Sequence, residues 1–118
     1  MTDRLDQMFR FNTEALKLRS QRQELLASNI ANADTPQYKA VDIEFGQALA
    51  AAVSGSETPG RPAAPAVLYR VPSQSSLDGN TVDMDAERGH FADNTVRYEA
   101  ALRVLNAQIK TMLAALQG

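Results

Sequence analysis

The sequence contains no cysteine and no tryptophan among its 118 residues, and each absence closes off a chemistry. Without cysteine there are no disulfides, thiolate metal sites or cysteine nucleophiles, while the compartment stays open because oxidising compartments also hold cysteine-free proteins. With only three Tyr and four Phe, burial must come mainly from Ala, Leu, Ile, Val and Met, which suit helix-on-helix packing. An excess of one charge is missing too. The formal charge is -2 with both signs interspersed, so no basic stripe exists to neutralise a phosphate backbone, and nucleic acid is not expected as a partner. No apolar run approaches the roughly 20 residues that span a bilayer, so direct membrane insertion is not expected either. The start, Met1-Thr2-Asp3-Arg4-Leu5-Asp6, lacks the apolar stretch of a secretory leader; if the chain leaves the cytoplasm, it is expected to do so without a cleaved signal peptide.

What is present is helical periodicity at both ends. Leu5, Phe9, Leu16, Leu26 and Ile30 repeat at helical spacing, with a second stripe beside them at Met8, Phe11, Ala15, Leu18 and Leu25. A helix from near Leu5 to Ala33 would be roughly 43 Å long, too long for a compact domain of this size. Asn29, Asn32, Asp34, Thr35 and Pro36 mark its end, since Pro36 pushes Thr35 towards an extended conformation and Asn tolerates the left-handed turn that stops a helix. Asp42 is then placed to cap a shorter helix carrying Ile43, Phe45, Leu49 and Val53, weakened by Gly46. From Ser54 to about Ser76, Gly, Pro, Ser and Ala dominate, which reads as a linker or extended excursion. Within it Val67-Leu68-Tyr69-Arg70-Val71 alternates weakly, as a strand or a segment lying along a neighbouring subunit.

A second long helix follows. Met84, Phe91, Tyr98, Leu102, Leu105, Ile109, Met112 and Leu116 fit one heptad series interrupted by Arg88 and Thr95. Acids at Asp83, Asp85 and Glu87 offset the positive end of its dipole, and Asp93 with Arg97 and Glu99 with Arg103 form i,i+4 pairs. The predicted fold is all-α: two long terminal helices, a short middle helix and an extended Pro- and Gly-rich linker. It is one structural domain with stretches 1–36, 37–77 and 78–118.

No constellation points to catalysis. His90 is the only histidine and has no clustered ligand or nucleophile in the sequence, so an enzyme is not expected, and neither a metal nor another cofactor is. The string from Asp78 to Glu87 is rich in oxygen ligands but departs from a calcium loop at Val82, Asp83 and the closing Glu. It reads instead as a tight turn at Asp78 and Gly79 followed by helix capping, with Asp78, Gly79, Asn80, Asp83 and Asp85 as the entry to the C-terminal helix. The first helix carries two adjacent apolar stripes, one more than a single partner helix covers, and the leftover surface points to assembly.

The segment Ala27-Ser28-Asn29-Ile30-Ala31-Asn32-Ala33-Asp34-Thr35-Pro36-Gln37-Tyr38-Lys39 resembles the N-terminal signature shared by flagellar rod, hook and hook-associated proteins. Arg22-Gln23, Leu68-Tyr69-Arg70-Val71-Pro72 and Ser76-Leu77-Asp78-Gly79-Asn80-Thr81-Val82-Asp83-Met84-Asp85 are similar to the proximal rod subunits of the basal-body rod protein family. Gln37 stands where that family usually has Gly. The resemblance implies a structural subunit of the basal-body rod, exported in a nearly unfolded state through the flagellar type III apparatus and assembled in the periplasm. It implies terminal helices paired as an antiparallel coiled coil and stacked into a helical tube that transmits torque and continues the export channel. The implied partners are copies of itself, other rod proteins, the membrane-ring protein, the ring-to-rod adaptor and the export gate. On this reading Leu16, Leu18, Leu26 and Ile30 pack with Leu102, Leu105, Ile109 and Leu116, while Asn29, Asn32, Asp34, Thr35, Pro36 and Tyr38 fix the turn after the first helix. The alternative is a soluble helical adaptor or chaperone-like binding module.

Overall fold

A computed structural model describes residues 2–54, 67–70 and 76–117. In chain order these form helix α1 (Thr2–Ala31), strand β1 (Val41–Ile43), helix α2 (Phe45–Ser54), strand β2 (Val67–Tyr69) and helix α3 (Met84–Gln117). The expected linker thus contains one described element, β2; residues 55–66 and 71–75, Val71 and Pro72 among them, lie outside the described residues.

α1 and α3 run antiparallel along their whole length. At one end Asn29 bonds Glu87, in the middle Asn94 and Thr95 meet Arg19 and Gln23, and at the other Met8 shares a groove with Gln108. α2 runs back along α1, with the Arg19 guanidinium 3.5 Å over the Phe45 ring and Val53 lining the groove beside Met8 and Phe11. Two helices of 30 and 34 residues with so little else make a rod of 63 × 29 × 18 Å. Its radius of gyration is 17.7 Å, against about 13 Å for a compact chain of this length.

The α3 seam differs from the expected one. Its less exposed positions include Met84, Glu87, Phe91, Asn94, Tyr98, Ala101, Leu105, Gln108 and Met112, a strict alternation of three and four. The expected series is right at Met84, Phe91, Tyr98, Leu105 and Met112, but Leu102, Ile109 and Leu116 lie on the stripe next to the seam and face outward. The buried alternates are polar or small because α1 offers hydrogen-bond partners opposite them: the Arg19 carbonyl and Gln23 to Asn94, and Asn29 to Glu87. Apolar periodicity selects the greasier of two adjacent stripes, whereas α1 covers the one whose Glu87 carboxylate and Asn94 amide nitrogen it bonds, although Asn94 Oδ1 and Gln108 Oε1 are buried there without a hydrogen-bond partner among the described residues. The core is correspondingly lean. Among the described residues the buried apolar side chains are Leu18, Leu26, Ala40 and Ile43, and three of the four largest fully buried side chains are polar.

The helix ends follow local chemistry. Asp83 caps α3, its Oδ1 accepting the Ala86 amide at 3.2 Å and its carbonyl the Glu87 amide at 2.8 Å. α1 stops at Ala31, two residues before expectation, in turns closed by Ala33 N to Ile30 O and Thr35 N to Asn32 O. The left-handed residue there is Gln37, at φ 64°, and not an Asn. Left-handed backbone costs an L-residue about 1–2 kcal/mol, of which the greater unfolded-state freedom of Gly offsets roughly half. Gln37→Gly is therefore expected to stabilise the chain by about 0.5–1 kcal/mol, read as a raised thermal midpoint by circular dichroism; a lowered midpoint would show that the Gln37 side chain compensates its backbone.

Asp42 does not cap α2. Glu44 takes that place, its carbonyl accepting the Ala48 amide at 2.9 Å, while Asp42 and Ile43 belong to β1. β1 pairs antiparallel with β2 in the register Val41 with Tyr69, Asp42 with Leu68 and Ile43 with Val67, extended by the Arg70 amide on the Ala40 carbonyl at 2.9 Å. A two-stranded ribbon is marginal on its own, so this one depends on what its side chains hold.

Candidate functional site

Where α1, the ribbon and α3 meet, the chain builds a polar joint. The centre is Asn29, fully buried, with every polar valence used. Its Nδ2 donates to the Val41 carbonyl at 2.7 Å and to Glu87 Oε2 at 3.0 Å. Its Oδ1 accepts the Val41 amide at 3.0 Å and the Tyr38 hydroxyl at 3.1 Å. It thus pairs with both backbone groups of one β1 residue, doing for that strand what a neighbouring strand would do.

The charges are arranged around it as a chain. Arg22 forks onto Asp42, Nε to Oδ1 at 3.0 Å and Nη2 to Oδ2 at 3.1 Å. Arg70 bridges the two acids, Nη2 to Asp42 Oδ2 at 2.5 Å and Nε to Glu87 Oε1 at 2.6 Å. Burial alone would raise the Asp42 carboxyl. The Arg22 hydrogen bond, the Ile43 amide and the charges of Arg22 and Arg70 outweigh it and hold the group below the ordinary carboxylate range.

A second cluster ties the start of the α3 segment to the end of α1. Asn80 Nδ2 lies 2.7–3.0 Å from the carbonyls of Asn32, Ala33 and Thr35 in the turns that follow α1, and its Oδ1 accepts the Val82 amide at 2.7 Å. Thr81 Oγ1 accepts the Ala40 amide at 2.8 Å, the Gln37 amide donates to the Asp78 carbonyl at 2.9 Å, and Lys39 donates to the Gly79 carbonyl. Gly79 supplies the positive φ of 75° that the turn needs. The Asp78 carboxylate accepts the Ser76 hydroxyl and the Asn80 amide, which with nearby Lys39 hold it below its usual range. The oxygen-rich string is thus spent on a turn and a cap.

Of the signature residues, Asn29 and Tyr38 enter the joint and Asn32 closes on the Ser28 carbonyl at 2.8 Å while accepting from the Thr35 hydroxyl at 3.0 Å. Asp34 and Pro36 are exposed at the turn, and Asp85 is exposed on the first turn of α3. Arg22, Asp42, Arg70, Glu87 and Asn94 were not read as site residues from the sequence, although Glu87 and Asn94 fall seven apart on the buried heptad position and Arg22 and Arg70 lie in family-like segments.

The packing residues divide. Leu18 and Leu26 are buried, and Leu16, Ile30 and Leu105 are half-buried. Within one chain Leu26 and Ile30 sit beside the start of α3, the length of the rod away from Ile109 and Leu116, so the structure does not bring those two sets together intramolecularly. Ile109 is 38% exposed and Leu116 84%, joined on α3 by Val104 and Leu113 and on the adjoining end of α1 by Leu5, Met8 and Phe11. One end of the rod is closed by polar bonds and the other is open and apolar. The expected Asp93–Arg97 pair forms at 2.9 Å on the exposed face; among the described residues Glu99 and Arg103 make none. No helix among the described residues is long and apolar enough to cross a membrane.

The profile of the family described as flagella basal body rod protein matches residues 9–39. The flagellar basal body rod protein FlgB of Salmonella typhimurium is 53% identical over 136 aligned positions, covering 100% of this chain and 99% of the relative. That of Escherichia coli is 47% identical over the same span, with 100% and 99% covered, and that of Cereibacter sphaeroides is 48% identical over 118 positions, with 91% of each covered. An alignment of 136 positions exceeds the 118 residues present here, so the first two relatives carry residues that this chain lacks.

Proposed function

The chain belongs to the flagella basal body rod protein family, and on that premise we propose how it does the work of a rod subunit. It is a structural component of the bacterial flagellar basal body, and its relatives are structural rod proteins, not enzymes. The alternative of a soluble adaptor or chaperone-like module finds no support among them.

The subunit presents its open apolar end to other chains, and the repeated heterologous contact builds an open helical array that continues the export channel and carries torque. Its neighbours are copies of itself and other rod proteins, with the membrane-ring protein, the ring-to-rod adaptor and the export gate at the base. It works in the periplasm, and its order is completed on assembly because so lean a core offsets the chain entropy of about 1–2 kcal/mol per residue only with added surface.

The observation that carries this reading is the C-terminal half of α3. From Val104 to Gln117 the only charged residue is Lys110, yet Val104, Ile109, Leu113 and Leu116 are exposed. At about 100° per residue Leu102, Ile109, Leu113 and Leu116 share one flank of α3, while Val104 lies on the other flank beside Met8 and Phe11, and exposed apolar surface of this kind marks a contact site. A photo-reactive phenylalanine analogue placed at Ile109 in motile cells is expected to form adducts with other rod chains on irradiation of isolated basal bodies. Recovery of uncrosslinked chain alone would contradict the proposal.

A further inference from the structure

Glu87 is fully buried on the first turn of α3, and its two oxygens have different partners: Arg70 Nε at 2.6 Å and the neutral amide of Asn29 at 3.0 Å. Among the described residues Arg70 is the one cation in reach of it. Asp42 by contrast keeps the Arg22 fork if Arg70 leaves. The residue that depends on Arg70 is therefore Glu87, because a buried carboxylate left without a counter-charge is far costlier than the paired one.

Arg70 is not part of either long helix. It directly follows β2, a strand of three exposed residues joined, among the described residues, only to β1, and its own amide bonds the Ala40 carbonyl at 2.9 Å. Such a strand gains little from burial, so its docking rests largely on the two ion pairs of Arg70. Each partner is marginal alone, and each supplies what the other lacks.

We infer that Arg70 is a latch: by carrying the sole counter-charge of buried Glu87 on the strand that pairs with β1, it makes closure of the α1–α3 hairpin conditional on the docking of β2. The family-like segment Leu68-Tyr69-Arg70 acquires a specific role by this. A contact that holds β2 down locks the joint, and a contact that peels it away frees the ends of both helices. The inference stands on the geometry of the single chain and does not depend on the assembly reading.

Hydrogen exchange followed by mass spectrometry on the full chain tests it. In the native protein the amides of Arg70, of 24–31 and of 86–92 should open as one cooperative unit. Arg70→Met keeps the apolar stem and removes the charge, and it should speed exchange at all of them by on the order of ten- to a hundredfold. Adding Glu87→Gln to that variant removes the orphaned charge and should restore exchange at the helix ends to within about threefold. Arg97→Met, which breaks an exposed pair, should leave these amides unchanged. If Arg70→Met fails to fold, recovery of folded protein on adding Glu87→Gln supports the latch, and failure to recover it overturns the latch. Independent opening of the Arg70 amide, or unchanged exchange at the helix ends in Arg70→Met, also overturns it.

Discussion

Cells whose only copy of this chain carries Ile109→Asp are expected to be non-motile and to lack complete basal bodies, while the purified variant keeps the helix content of the parent. The two halves of that result come from one geometry. Ile109 lies beside the seam and is 38% exposed in the single chain, so an Asp there keeps its carboxylate in water and costs about 1–2 kcal/mol, from its lower helix propensity and the apolar contact of the covered part. In the proposed array the same position is covered by a neighbour, where an unpaired carboxylate costs several kcal/mol, and the penalty recurs at every subunit. Leu105 is the less informative choice because it is half-buried in the α1–α3 seam, so an Asp there also damages the monomer. Motility on soft agar, electron microscopy of basal-body preparations and circular dichroism of the variant decide the matter. Normal swimming would remove the apolar end from the mechanism.

Asn29→Ala is expected to act at the opposite end and by the opposite means. The substitution leaves the Val41 amide and carbonyl and Glu87 Oε2 without the partner each now has, and the Tyr38 hydroxyl with Ser28 Oγ alone. Buried polar groups deprived of partners cost about 1–3 kcal/mol apiece; with partial access of water as the joint loosens, a total on the order of 3 kcal/mol is expected. With four buried apolar side chains as the described core, that loss is enough to open the joint. Asn29→Asp should be no better, since it sets a second carboxylate against Glu87. The measurement is the thermal midpoint by circular dichroism together with near-ultraviolet signal from Tyr38. A midpoint equal to that of the parent would mean that the joint adds nothing to stability.

The two variants separate what the sequence displays from what it conceals. Both long helices are legible because apolar residues recur every three or four positions over many turns, and the end of the first is legible because Asn32, Asp34 and Pro36 each act on their own backbone or the next residue. Asp83 could be read as a cap for the same reason. The polar joint is concealed by distance along the chain: Arg22 meets Asp42 twenty residues on, Arg70 meets Glu87 seventeen on, and Asn29 meets Glu87 fifty-eight on. Nothing local to Asp42 distinguishes a helix cap from the hub of an ion network, since both need a carboxylate before a helix. The choice between the two stripes of α3 has a related cause. Leu102, Ile109 and Leu116 form the more hydrophobic stripe, and hydrophobicity alone places that stripe inward. It lies outward while α1 bonds Glu87 and the Asn94 amide nitrogen of the adjoining stripe. The two stripes of α1 display surplus apolar surface in the sequence, and α3 exposes Leu113 and Leu116 as well.

That surplus surface is what a density map of the assembled basal body, resolved to side chains, tests most directly. It should place Leu102, Ile109 and Leu116 of each copy against apolar side chains of a neighbouring chain, with the Asn29, Arg70 and Glu87 joint intact inside each subunit. A map in which that stripe of α3 faces open solvent along the rod would contradict the account.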